Sequence, residues 1–496
     1  MRRNPVTLPI ELRRIQQTIE EYARGYELDF FDVLFEVIDW RQMNEIAALG
    51  GFPNRYPHWR FGMEYERLSK SYAYGLSKIY EMVINNDPCY AYLLHSNHLI
   101  DQKLVMAHVY AHCDFFKNNA FFARTNRKMM DEMANHRTRV LRYIDRCGID
   151  RVEAVIDAAL SIDNLIDYHG PMRQRAPTRA TEREDEEESR LVVRKIPGKP
   201  YMERFINPPE FIEAERRKLE DEIKRAKQFP ERPERDVMGF LLEYAPLEGW
   251  ERDLISIVRE EAYYFSPQGQ TKVLNEGWAS YWHSKMMTQK ILTDADVIDY
   301  ADHHSGTVAM HPGQINPYKI GLELFRDIED RWNRGRFGKE YDECEDMVKR
   351  AKWDTDAGIG RQKIFEVRKL YNDVMFIDEY LTPEFCRAHK LFVYAYNAAA
   401  DQYEIQDRAF DKIKRQMLFE LTNFGYPIIV VSDANYGNRG ELLLKHEHEG
   451  VDLREDYARE TLKGLVKLWR RPVGIETLVD GAPKVLLYDG EQYQTK

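Results

Sequence analysis

The chain has 496 residues, 43% hydrophobic and 31% charged, an ordinary balance for a globular protein long enough to hold more than one core. A net charge of −11 argues against nucleic acid or an anionic membrane as the main partner. Arginines near the N-terminus are followed by no apolar run, no stretch approaches a spanning helix, and the five cysteines show no CxxC spacing; the expectation is a cytoplasmic protein with reduced thiols, no signal peptide and no transmembrane segment.

In chain order, apolar residues at three- and four-residue steps predict a helix over 8–39, bent or divided at Gly25. Two prolines and several aromatics over 50–64 predict an ordered loop. Helical periodicity returns over 64–85, 99–118 and 121–147, with Gly148 placed to stop the last of these, and another helix fits 150–167. Residues 170–200 carry the run EREDEEE and predict a solvated linker. Helices follow over 209–228, 234–245, 250–265 (closed by Ser266-Pro267), 269–290 and 294–304. A Gly/Pro loop, 306–321, then leads to Pro317, suited to the first position of a helix over 317–334, and shorter helices fit 339–349 and 360–379.

From about 390 the period changes to two. Strands are expected at 390–397, 402–407, 426–434 and 440–450, helices at 408–424 and 454–469, and a closing hairpin of 473–481 and 483–490 around Asp480-Gly481. The expected architecture is mainly α. A large helical domain spans 1–385, interrupted by the linker, and a small α+β domain of repeated strand–strand–helix units spans 390–496.

Two stretches carry chemistry. LVMAHVYAHCDFFKNN (104–119) sets His108 and His112 four residues apart, and TKVLNEGWASYWHSKMM (271–287) sets Glu276 and His283 seven apart. On helices each pair shares a face. Two imidazoles from one helix, with a carboxylate or third imidazole from another, make a three- or four-ligand metal set. The bland alternative is a pair of hydrogen-bonded core histidines, since Val105, Ala107, Ala111, Phe115 and Phe116 surround them. A buried Glu276 needs a partner, either a metal or a cation such as Lys272, Arg124 or Arg127. Gly277 beside it lets another backbone approach, and Trp278, Tyr281 and Trp282 would wall the site. His95 and His98 are placed to support the main pair. Adjacent His303 and His304 face differently, so at most one of them shares a site with His311. His446 and His448 share a strand face and read as solvated or as a weak metal site. No nucleotide-binding loop or nucleophile elbow is present.

HVYAH followed by LNEGWASY resembles the gluzincin metallopeptidases, especially the aminopeptidase N type. The resemblance assigns His108 and His112 to the two histidine ligands and Glu276 to the glutamate ligand of a zincin-like domain. The catalytic glutamate of HExxH is replaced by Val109, which cannot take a proton, and the gap between the motifs is far longer than in that type. A wider resemblance spans nearly the whole chain: FPNRYPHWRFGMEYE, HCDFFKNN, NEGWASYWH, INPYKIGLELFRDIE and FIDEYLTPEF are similar to the SpoVR family, named for stage V sporulation protein R. That resemblance implies a link to sporulation, through spore cortex formation, or to a stress response in bacteria that never sporulate. It also implies association with a PrkA-type serine kinase and a von Willebrand factor A-type protein.

A zinc ion on His108, His112 and Glu276 leaves a fourth position for water, as in catalytic sites, or takes His283 and closes, as in structural ones. A catalytic site needs another base in place of Val109. Glu260 and Glu261, in VREEAYYF, are the expected replacements, and Tyr318 is the expected donor to an oxyanion; Asp114, two residues past His112, points away. The expected activity is metal-dependent amide or peptide hydrolysis. The alternative is a non-catalytic scaffold working with the kinase and the von Willebrand factor A-type protein.

Overall fold

A helix that is apolar on nearly every side is stable only inside a core. Leu99–Asn118 has such a sequence. In a computed structural model of the chain, which describes residues 8–74, 78–170, 208–226, 229–397 and 400–496, it is one helix buried from Ile100 to Phe116 except at Lys103 and Leu104. We call it the histidine helix. A second helix of this kind, the glutamate helix, spans Lys272–Met286 and is buried from Val273 to Met286 except at Glu276 and Lys285. A third, Pro317–Asn333, begins with its proline in the first turn and is capped by Asn316, whose side chain accepts from the Lys319 N–H. It crosses the glutamate helix backbone to backbone. A Cβ on Gly277 would fall on the Gly321 backbone, and one on Gly321 would fall on the Val273 carbonyl.

The start of the glutamate helix is held from outside. Thr271 makes no side-chain cap. The buried carboxylate of Asp373 instead accepts the N–H groups of Val273 and Leu274, both at 2.8 Å. Asp373→Ala leaves both donors unpaired in the core and is expected to cost about 2 kcal/mol, read as a lower urea midpoint at unchanged slope.

The described residues group into two units, each discontinuous in sequence. The first lies within 8–146 and 264–425, the second within 147–263 and 426–496. The first contains a sheet where helices were expected. The predicted helix over 8–39 ends at Gly25, and Val33–Ile38 is a strand; the predicted helix over 64–85 is instead Trp59–Ala73, followed by strand Glu81–Ile84. A third strand, Cys89–Leu94, lies between these two, parallel to the first and antiparallel to the second. Short apolar runs such as VLFEVI fit a helix and a buried strand equally, and pairing partners far along the chain decide between them. The sheet has two apolar faces. Val83, Ala91 and Leu93 pack with the histidine helix, whereas Met82, Ile84, Tyr92 and Leu94 pack with Met43, Phe52 and Tyr264.

Other differences are local. Pro267 does not end its helix, which spans Gly249–Gln270. The N–H and hydroxyl of Thr271 both donate to the Pro267 carbonyl and close the last turn. The hairpin Val393–Asn397 with Gln402–Asp407, and helix Phe410–Leu421, belong to the first unit and form their own two-stranded sheet, so the expected strand–strand–helix units share no sheet. The expected linker over 170–200 lies outside the described residues except for Gly170.

The second unit holds a five-stranded sheet in the order Tyr493–Thr495, Ala482–Tyr488, Val473–Val479, Glu441–Glu447, Ile428–Tyr436. One neighbouring pair, Glu441–Glu447 with Val473–Val479, is parallel, and helix Glu455–Trp469 makes the crossover it needs. Asp480 and Gly481 both have positive φ (52° and 76°), the two-residue turn read from the sequence. Helices Ile149–Leu160 and Val237–Tyr244 contribute to the core beneath this sheet. Among the described residues no helix is long and apolar enough to cross a membrane.

Candidate metal centre

The histidine and glutamate helices lie side by side in one core. Their register is fixed by Asp114, whose buried carboxylate accepts from the Trp278 indole N–H at 2.8 Å and from the Asp29 N–H at 2.8 Å, with Arg368 3.5 Å away. Asp114 therefore points off the ligand face and ties the two motifs together. One helical face then brings His108, His112 and Glu276 to one point, their ligand atoms within 4.8 Å of one another.

Glu276 Oε2 lies 3.5 Å from His108 Nε2 and 3.5 Å from His112 Nε2. Donors bound to one tetrahedral zinc ion at about 2.0–2.1 Å lie about 3.4 Å apart, so this spacing suits the edges of such a set. The same oxygen is buried and has no hydrogen-bond partner, a costly state for a carboxylate unless a cation completes it. Arg127 does not serve: it donates to Asn85 and to the carbonyls of Phe116 and Phe122. The two histidines are the ion-pair partners of Glu276 among the described residues.

The far sides of both imidazoles are occupied. His112 Nδ1 donates to Asn275 Oδ1 at 2.9 Å, which leaves its Nε2 as an acceptor for a metal. His108 Nδ1 is 2.9 Å from His283 Nδ1, and His283 Nε2 is 3.5 Å from His304 Nδ1. His283 is thus not part of the ligand group; it backs His108, and His304 backs it in turn.

Charges in the cluster are set by burial and by one another. Burial pushes His108 and His283 down, helped by the neighbouring imidazoles. Burial acts the same way on His112, but Glu276, Asn275 and Glu81 overcome it and raise it above the usual 6.5. Burial would raise Glu276, yet the two histidines hold it well below the usual carboxylate range. In the ion-free site Glu276 therefore stays ionised, and His112 holds its proton to higher pH than an ordinary histidine. Zinc must displace that proton, so affinity is expected to fall about tenfold per unit as pH drops below the His112 value. Calorimetry in buffers of different ionisation enthalpy should show about one proton released per ion near pH 6, and about none well above neutrality.

Tyr318, at the start of the third helix, stacks beside His108 with ring centroids 6.2 Å apart. Burial and the Glu276 and Glu81 carboxylates raise its phenol strongly, so it is a hydroxyl donor at the site. Glu260 and Glu261 lie on helix Gly249–Gln270, and neither belongs to the His108–His112–Glu276 group. Val109 is buried in the core. His95 and His98 are exposed and back neither ligand. His303 pairs with Asp101, and His311 lines a separate cavity of about 260 Å³ with His389, Lys390 and Glu420. In the second unit His446 is buried and hydrogen-bonded to Thr477, while His448 pairs with Asp452. One nearby carboxylate, Glu81, escapes sequence reading because its strand reads as helix.

These features define a helical core around a group of two histidines and one glutamate that could hold a metal ion. The SpoVR like protein family matches residues 8–426, and the SpoVR-like C-terminal domain matches residues 427–480; the chain belongs to the SpoVR family. A curated relative, the uncharacterized protein YcgB of Escherichia coli strain K12, is 28% identical over 484 residues, covering 92% of this chain and 90% of its own. No solved structure matches the chain.

Proposed function

We propose that this chain is a cytoplasmic, zincin-like metal-dependent hydrolase of amide or peptide bonds that holds one zinc ion on His108, His112 and Glu276. The observation that carries this reading is Glu276 Oε2, buried, without a hydrogen-bond partner, and equally close to two imidazole nitrogens whose other sides are already engaged. Zinc at such a position supplies Lewis acidity toward a water molecule and a carbonyl oxygen. The chain's own residues do the rest. His283 and Asn275 orient the two imidazoles, and the Tyr318 hydroxyl is placed to donate to an oxygen that gains negative charge. The setting implied by the family is sporulation, through the spore cortex, or a stress response. Being cytoplasmic, the chain would act on soluble peptides, precursors or a partner.

A second reading is a non-catalytic scaffold working with a PrkA-type serine kinase and a von Willebrand factor A-type protein. Val109, buried where an HExxH helix carries its base, favours it. The two readings separate in one assay. Zinc-loaded protein is incubated with a proteome-derived peptide mixture in ¹⁸O-water, and new termini are sought by mass spectrometry. Termini carrying ¹⁸O with the wild type and not with His108→Ala support the hydrolase; none with either supports the scaffold.

A further inference from the structure

A hydrolase with this ligand set lacks a base on the histidine helix, because Val109 fills that position. The sheet beside the helix carries a carboxylate, Glu81. In strand Glu81–Ile84 side chains alternate between the two faces of the sheet. Glu81 is paired with Leu93, and Val83 with Ala91. Val83, Ala91 and Leu93 all lie in the core built on the histidine helix. Glu81 shares their face, so an acidic side chain stands in an apolar row directed at that helix.

Its carboxylate makes no hydrogen bond or ion pair with another described residue, although its charge acts on His112, Glu276 and Tyr318. It also lies outside the close group of three ligand atoms. Those are the properties of a group beside the centre rather than bound in it. Burial pushes the Glu81 carboxyl up to about 7, with Glu276 and Asp101 adding to the rise and His112 opposing it. A carboxylate on this face of the sheet can accept a proton beside the centre.

We infer that Glu81 is the proton acceptor of this centre, serving from the sheet in place of the base that Val109 cannot provide. The inference rests on the hydrolase reading above and adds a catalytic residue to it. In the step, Glu81 takes a proton from water as the water oxygen bonds to the amide carbon and the carbonyl π pair moves onto its oxygen, toward Tyr318. The carbonyl then re-forms, the C–N bond breaks, and the proton held by Glu81 passes to the departing nitrogen. One amide and one water give one acid and one amine.

The test uses the full chain reconstituted with zinc, as wild type, Glu81→Gln and His108→Ala. The readouts are zinc content, ¹⁸O-labelled termini from the peptide mixture, and calorimetric titration with acetohydroxamic acid, which must give up a proton to bind zinc as the hydroxamate. Glu81→Gln is expected to keep its zinc, cleave about 10²-fold more slowly or worse, and bind the hydroxamate at least about tenfold more weakly for want of an acceptor. His108→Ala should lose zinc and both other signals. Wild-type cleavage and hydroxamate affinity in Glu81→Gln would overturn the assignment of Glu81 and leave the hydrolase standing. Loss of zinc from Glu81→Gln would also overturn it, making Glu81 a support of the ligands. A wild type that holds zinc but cleaves nothing removes the hydrolase reading, and with it the catalytic step; the hydroxamate titration still reports whether Glu81 accepts a proton at the centre.

Discussion

Glu276→Gln is expected to weaken zinc affinity by more than about a hundredfold, beyond the range that loss of an outer partner costs, while the far-UV circular dichroism stays unchanged. The substitution keeps the shape of the side chain and removes its charge. In the ion-free protein Oε2 faces two imidazoles at 3.5 Å without a hydrogen bond, so there the neutral amide gives up only the charge attraction to the histidines. In the metal-bound protein it forfeits the only anionic donor of the set, and an uncharged centre binds a divalent cation far less tightly. The same change removes the main influence raising His112, so the pH dependence of the residual binding should move to lower pH. Isothermal titration at two pH values reads both effects.

Gly277→Ala is expected to cost about 3 kcal/mol of stability, at the upper end of what overpacking a core commonly costs, and to lower zinc affinity as well. A methyl group there would overlap the Cα and carbonyl carbon of Gly321, which are backbone atoms of a neighbouring helix and cannot rotate away. Separating the two helices shifts Glu276, one residue back, and Tyr318, one turn before Gly321. Gly321→Ala meets the same obstacle from the other side, against the Val273 carbonyl, and the double substitution should cost less than the sum because the helices separate only once. Gly62→Ala is the control. It lies inside helix Trp59–Ala73 with open space where its Cβ would go, and it is expected to be neutral or to stabilise by about 0.5–1 kcal/mol. Thermal melts of the three single variants check this ordering.

The ligand group was legible because helix geometry is local. Four residues separate His108 from His112, and that spacing alone places both imidazoles on one face; Gly277 beside Glu276 likewise announced the close backbone approach that Gly321 makes. What escaped depends on partners distant in sequence. Strands Val33–Ile38, Glu81–Ile84 and Cys89–Leu94 are short apolar runs whose period does not separate strand from helix, and with the second of them misread, Glu81 had no face to belong to. The cap from Asp373 reaches the glutamate helix across a hundred positions of chain, and no local signal marks it. The seven-residue spacing puts His283 on the same face as Glu276, but whether it binds an ion or backs His108 depends on an inter-helix distance that spacing does not contain. Glu260 and Glu261 stand on helix Gly249–Gln270, and closeness along the chain to the focal motif carries no information on whether either serves as a base.

The central claim, that His108, His112 and Glu276 form a metal centre, is tested most directly by the metal content of full-length protein purified without chelators, measured by inductively coupled plasma mass spectrometry for the wild type and His108→Ala. One zinc ion per chain in the wild type and close to none in the variant is the predicted result. Metal-free protein in both, with no uptake on adding zinc at neutral pH, would contradict it.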